Sequence, residues 1–192
     1  MDELGAGRMG CWRWRSFGLA LFVAMALWLA APSPAAADAV VVTLGCPQGQ
    51  QSLGSSGQAW LDTAGTLGID RIVKGTGIEW YPTREGAIHR LRAGQALWFR
   101  FTVAEMDDAE RWYLEIPYPA VNRVTLYTKD RAGNWTFLAA GDSLPVADWP
   151  LPHRHPVMPL VLTPGQAQQF FLRVDNTQSF SAPLNFTSER QL

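Results

Sequence analysis

"ALWFRFTV", residues 96–103, alternates without a break: Leu97, Phe99, Phe101 and Val103 point one way, and Trp98, Arg100 and Thr102 the other. Only an extended strand separates side chains with a period of two, so this stretch predicts a strand with one fully apolar face. The same rule extends outward. "RWYLEIPY" places Trp112, Leu114 and Ile116 opposite Tyr113 and Glu115, and "NRVTLYT" places Val124 and Leu126 opposite Arg123, Thr125 and Tyr127. "WTFLAA", "PVMPLVL", "QFFLRVD" and "APLNFT" follow, separated by Gly, Pro, Asn and Asp turns such as "KDRAGN" and "TPGQ". Short alternating runs at this spacing predict an all-β sandwich or barrel, and no long amphipathic helix competes. Upstream, "WLDTAGTLGIDRIVKG" suits a short helix or turn near Asp70, and "IEWYPT" a short extended piece ending at Pro82.

The N-terminus reads differently. Arg8, Arg13 and Arg15 precede the apolar run "FGLALFVAMALWLAA" (17–31). Pro32 and Pro34 then break it, and Ala35-Ala36-Ala37 supplies a small-residue cleavage site. This is the three-part layout of a secretory signal peptide over 1–37, with an apolar core short for a membrane span. Cleavage leaves 155 residues from Asp38, enough for one domain with a sizeable core. Residues 38–57 read as a flexible N-terminal arm or first edge strand followed by loop, and 58–192 as the sandwich. Without the leader's three arginines and two acids, 13 basic and 15 acidic residues remain. A net charge near −2 offers no attraction for nucleic acid or an anionic membrane. Cys46 alone survives processing, so no intrachain disulfide staples the domain.

The strands also carry words in a recognisable order: "LWFRF" (97–101), "WYLEI" (112–116), "VNRVTLYT" (121–128), "HRHPVMPLVL" (153–162) and "FFLRV" (170–174). Together with "WLDTAGTLGIDRIV" and "WYPTREGAIHRLRAGQALWFRF" they resemble one extracellular domain type of bacterial receptors. It is the second type found on seven-transmembrane receptors with diverse intracellular signalling modules (7TM-DISM), and the resemblance covers about 58–188. It implies a periplasmic jelly-roll sensor, similar in build to carbohydrate-binding modules. Such a domain precedes seven membrane helices and a cytoplasmic output such as a diguanylate cyclase or histidine kinase. Here the sequence stops at "SERQL", so the chain is expected to be a receptor fragment tethered to the inner membrane or a free-standing domain. Its partners would be a small molecule, carbohydrate or carboxylate, and a membrane-spanning signalling module. The alternative is a secreted carbohydrate-binding module without a signalling role.

Candidate ligand residues follow from the polar faces of the strands. Trp98 and Arg100 share one face, where an indole can stack on a sugar ring and a guanidinium can fork onto a carboxylate. The plainer account has Trp98 covering a second layer and Arg100 paired to an acid on a neighbouring strand. Tyr113 and Glu115 are expected to line the same surface, giving one aromatic and charged patch. Arg173, mid-strand, needs a partner if buried, with Glu115 or Asp175 the plain choices. Arg154 lies at the rim, where the prolines of "WPLPHRHPVMPLVL" (149–162) hold an extended lead-in. His153 and His155 have chelating spacing, but Asp142, Asp148 and the distant His89 make a poor remainder of a zinc shell, and no metal is expected. No GxSxG elbow occurs, and Asp107 and Asp108 sit in a polar turn, so neither catalysis nor a cofactor is expected.

Overall fold

The computed structural model describes residues 40–45, 49–106 and 110–192. Ala39–Leu192 forms one compact unit, while the leader reading and Cys46, Asp107 and Asp108 lie outside the described residues. Eleven strands are described: β1 (Val41–Leu44), β2 (Gln50–Ser52), β3 (Gln58–Asp62), β4 (Tyr81–Pro82), β5 (Ala96–Glu105), β6 (Trp112–Glu115), β7 (Arg123–Lys129), β8 (Trp135–Ala140), β9 (Val157–Leu160), β10 (Ala167–Asp175) and β11 (Asn185–Ser188). One short helix, α1 (Ile69–Lys74), lies between β3 and β4.

Two sheets result. The larger runs β4-β3-β5-β10-β7-β8 with β1 added beside β5, and the smaller runs β2-β11-β6-β9. Take β2, β5, β6, β7, β8, β9, β10 and β11 as first to eighth. The sheets then read first-eighth-third-sixth and second-seventh-fourth-fifth, which is the double Greek key of a jelly roll. All pairings are antiparallel except that of β1 with β5. The all-β jelly-roll expectation holds.

The alternation read from the sequence places the core. Leu97, Phe99, Phe101 and Val103 of β5, Phe170, Leu172 and Val174 of β10, and Val124 and Leu126 of β7 form one wall. Trp112, Leu114, Met158, Leu160 and Phe186 form the other. Phe101 joins the sheets: it stacks on Phe170 at 5.8 Å and meets Phe186 of β11 edge-on at 5.7 Å. Burying each such side chain contributes roughly 1.5–3 kcal/mol. Pro159 stands on β9, which among the described residues pairs only with β6, and an edge is where a strand tolerates a missing donor.

Of the two readings of 38–57, a flexible arm or a first edge strand followed by loop, the described residues give strands. Val41–Leu44 pairs in parallel with the second half of β5, which β3 leaves open, and Gln50–Ser52 extends the smaller sheet beside β11. Val42, Leu44 and Leu53 are buried in the common core. Short strands among Gly, Ser and Gln show no periodicity of their own; their pairing with distant strands holds them.

Two predictions follow from this packing. Gly65 has φ of +61°, and a Cβ there would stand 2.1 Å from the Gly94 carbonyl oxygen. Gly65→Ala should therefore lower stability by about 1–3 kcal/mol in urea unfolding, and an unchanged midpoint would refute the close approach. His89 exchanges two 2.8 Å backbone hydrogen bonds with Phe180 and sets its ring edge-on to Phe99 at 5.6 Å. Burial pushes its pKa below 6.5. The unfolded chain then binds the proton more readily, so the stability held by the neutral ring is complete above about pH 6.5 and falls as the pH drops. His89→Gln should flatten the decline in melting temperature between pH 7 and 5, and parallel wild-type and variant curves would count against it.

Candidate functional site

The outer face of the seven-stranded sheet carries an aromatic band. Registers place Gln58, Arg100, Phe171, Tyr127 and Phe137 in one row across β3, β5, β10, β7 and β8. The next row holds Trp60, Trp98, Arg173 and Thr125. The segment between β3 and β4 folds over the second row, so that Ile72 of α1 packs with Ala96, Trp98 and Phe171. Trp98 is consequently 0% exposed and stacks on Tyr127 at 5.6 Å. The plainer account of Trp98 is what the structure shows: it covers a second layer, with no exposed surface of its own.

Arg173 holds this cover in place. Its Nε and Nη2 donate to the Asp175 carboxylate at 2.7–3.0 Å, Nη2 also to the Gly65 carbonyl at 2.9 Å, and Nη1 to the Leu67 carbonyl at 3.2 Å. Desolvation opposes its charge, yet the hydrogen bonds and charge of Asp175 keep its pKa above the ordinary value. Asp62, 3% exposed, accepts from the Ala64 and Leu67 amides at 3.2 and 2.9 Å and finishes the anchor. Of the two partners expected for Arg173, Asp175 is the one used.

Arg100, one row away, is treated differently. Its Nε donates to Gln58 Oε1, and its guanidinium carbon lies 4.6 Å from the centroid of Trp80. Among the described residues no carboxylate comes within ion-pair distance, contrary to the acid partner anticipated. Burial alone lowers its pKa. Trp80 and Trp135 both lean on Phe171, at 6.3 and 5.4 Å, and Lys129 lies 5.4 Å over Trp135. Next to them is a depression of about 280 Å³ lined by Thr128, Lys129, Trp135, Ala167, Gln168 and Gln169. Trp80, Trp135 and Lys129 were not singled out by sequence. Trp135 opens an alternating run and was findable, whereas Trp80 sits in a loop and reaches the site only through the tertiary crossover.

The single patch of Trp98, Arg100, Tyr113 and Glu115 does not exist. Tyr113 and Glu115 belong to β6 of the other sheet, and the core lies between. Alternation predicts which face of its own sheet a residue takes, not which sheet its strand joins. Tyr113 lines a separate depression of about 360 Å³ with Trp112, Pro159 and Leu160. Glu115 accepts from Thr187 Oγ1 at 2.9 Å and Gln50 Nε2 at 3.4 Å, and its other oxygen lies 2.8 Å from His155 Nε2. His155 is 3% exposed, with the His153 ring 4.6 Å away. Arg154 between them is exposed on the loop before β9. Among the described residues no three His, Cys, Asp or Glu side chains converge as a metal site.

What the outer face can do is stack and attract: flat rings beside a forked cation, with a backbone cover pinned by Arg173. If Trp98 supports this face as its burial implies, Trp98→Ala should cost about 3–5 kcal/mol in chemical unfolding, a range typical of deep aromatic truncations. A loss below 1 kcal/mol would mean that the cover is not packed on it.

No curated protein matches the chain. The family model of the 7TMR-DISM extracellular 2 domain matches residues 54–188, a span that takes in β3 to β11 and every residue of the outer face. With that match over most of its length, the chain belongs to the 7TMR-DISM extracellular 2 family.

Proposed function

We propose that this domain senses a small molecule on the outer face of its seven-stranded sheet and serves a 7TM-DISM-type signalling receptor in the bacterial periplasm. Family membership supports the coarser part: an extracellular domain, and so an exported one, of the kind receptors carry as sensors. Among the described residues no helix is long and apolar enough to cross a membrane. The observation that carries the finer part is the surface left uncovered. Trp60, Trp80, Tyr127 and Trp135 are partly buried and Phe137 is 61% exposed, all on one face beside Arg100 and Lys129. Rigid, partly exposed aromatics flanked by a few polar groups are the usual lining of small-molecule sites.

Binding there has a physical route to the rest of the domain. Phe171 of β10 lies in the site. Its neighbour Phe170 stacks on Phe101, which touches Phe186 of β11 in the opposite sheet. Thus a shift of β10 is felt by the last strand, in a core too closely packed to absorb it.

A thermal-shift screen of the purified protein against sugars, amino acids and carboxylates tests the reading. At least one compound should raise the melting temperature, and both Trp80→Ala and Trp135→Ala should abolish the rise while leaving the fold intact. Hits that ignore both substitutions would move the site elsewhere. Binding without any effect on an associated membrane-spanning module would favour a secreted carbohydrate-binding module.

A further inference from the structure

Resting on the reading of the outer face as a binding site, we infer that its ligand is an anion, a carboxylate borne on a flat or ring-shaped body, held by the guanidinium of Arg100. The face has donors in excess of acceptors. Arg100 spends Nε on Gln58, and its two terminal nitrogens have no acceptor among the described residues. The indole N–H of Trp80, the ring beneath the guanidinium, is buried and likewise lacks an acceptor. The carboxylates nearby are committed, Asp175 to Arg173 and Asp62 to the Ala64 and Leu67 amides, while Gln168 Oε1, a buried acceptor at the depression without a partner among the described residues, is neutral and answers no charge.

Two arginines on one sheet face make the comparison internal. A half-buried cation costs free energy unless something answers its charge. Arg173 is answered by Asp175; Arg100 is not, although it stands on the neighbouring strand directly beside Phe171. Stacking over Trp80 offsets part of that cost but supplies no negative charge. The orientation is nonetheless fixed, because Gln58 holds Nε and the indole holds the plane. What is left free is the pair of terminal nitrogens, which match the spacing of two carboxylate oxygens. Gln169, two residues along β10 from Phe171, lines the 280 Å³ depression together with Lys129 and Trp135. Gln169, paired with Thr102, stands one row along the same face from Arg100, so a ring seated in the depression would rest its apolar side on Trp135, with Lys129 adding a second positive charge.

Isothermal titration at low ionic strength with matched probes tests this: D-glucuronate against D-glucose, and benzoate against benzyl alcohol. The acid of at least one pair should bind about ten-fold more tightly than its neutral partner, as expected of a charge-assisted bidentate contact. Arg100→Gln should erase that difference, and Arg100→Lys should retain only part of it. Since the charge is unpaired, Arg100→Gln should also melt no lower than the wild type, which separates lost binding from lost fold. Equal binding of acid and neutral probes, or acid binding unchanged in Arg100→Gln, overturns the inference while leaving the outer face as the site. If neither member of either pair binds, the inference and the reading it rests on both fail.

Discussion

Strand β5 has no water on either face over its first four residues: Ala96, Leu97 and Trp98 are 0% exposed and Phe99 4%. One face forms the wall of the sandwich core, and the other lies beneath the segment that carries α1. A jelly roll needs only the first of these burials. The second makes this a three-layered object locally, and it requires a cover that itself stays put without long helices or sheets. Six helical residues cannot hold themselves in place. The Asp62 and Arg173–Asp175 anchors do so, by taking up the backbone groups of residues 64–67 that would otherwise lie unpaired against an apolar floor.

That arrangement divides the outer face into a closed part and an open part, and the two arginines mark the border. Arg173 is embedded in hydrogen bonds and is structural. Arg100, one row across, donates to Gln58 and stacks on Trp80 but has no carboxylate within ion-pair distance among the described residues. Aromatic side chains are what both halves share. Beneath the cover they are fully buried; beyond it Trp80 and Trp135 pack on the same cluster while only partly buried, and Phe137 is exposed.

The smaller sheet tells the opposite story. Glu115, Thr187, Gln50 and His155 form a network on its outer face in which both oxygens of the partly buried acid are engaged. Such a network specifies how β2, β6, β11 and the loop before β9 sit together. The histidine pair that draws the eye in the sequence is thus part of the framework, with His155 given over to Glu115.

The sequence by itself determined the strands of the long alternating runs, their faces and the export-like leader pattern, because side-chain alternation is a local property of extended backbone. "ALWFRFTV" and "QFFLRVD" named core and outer faces correctly, and Asp175 was one of the two partners open to Arg173. What only the tertiary structure decided was which strands share a sheet and which loop covers a face. Those choices separated Tyr113 and Glu115 from Arg100, buried Trp98, built Val41–Leu44 into the core and brought Trp80 to Arg100. The reason is physical: pairing and covering are contacts between residues distant in the chain, and a period of two is the same whichever sheet a strand joins.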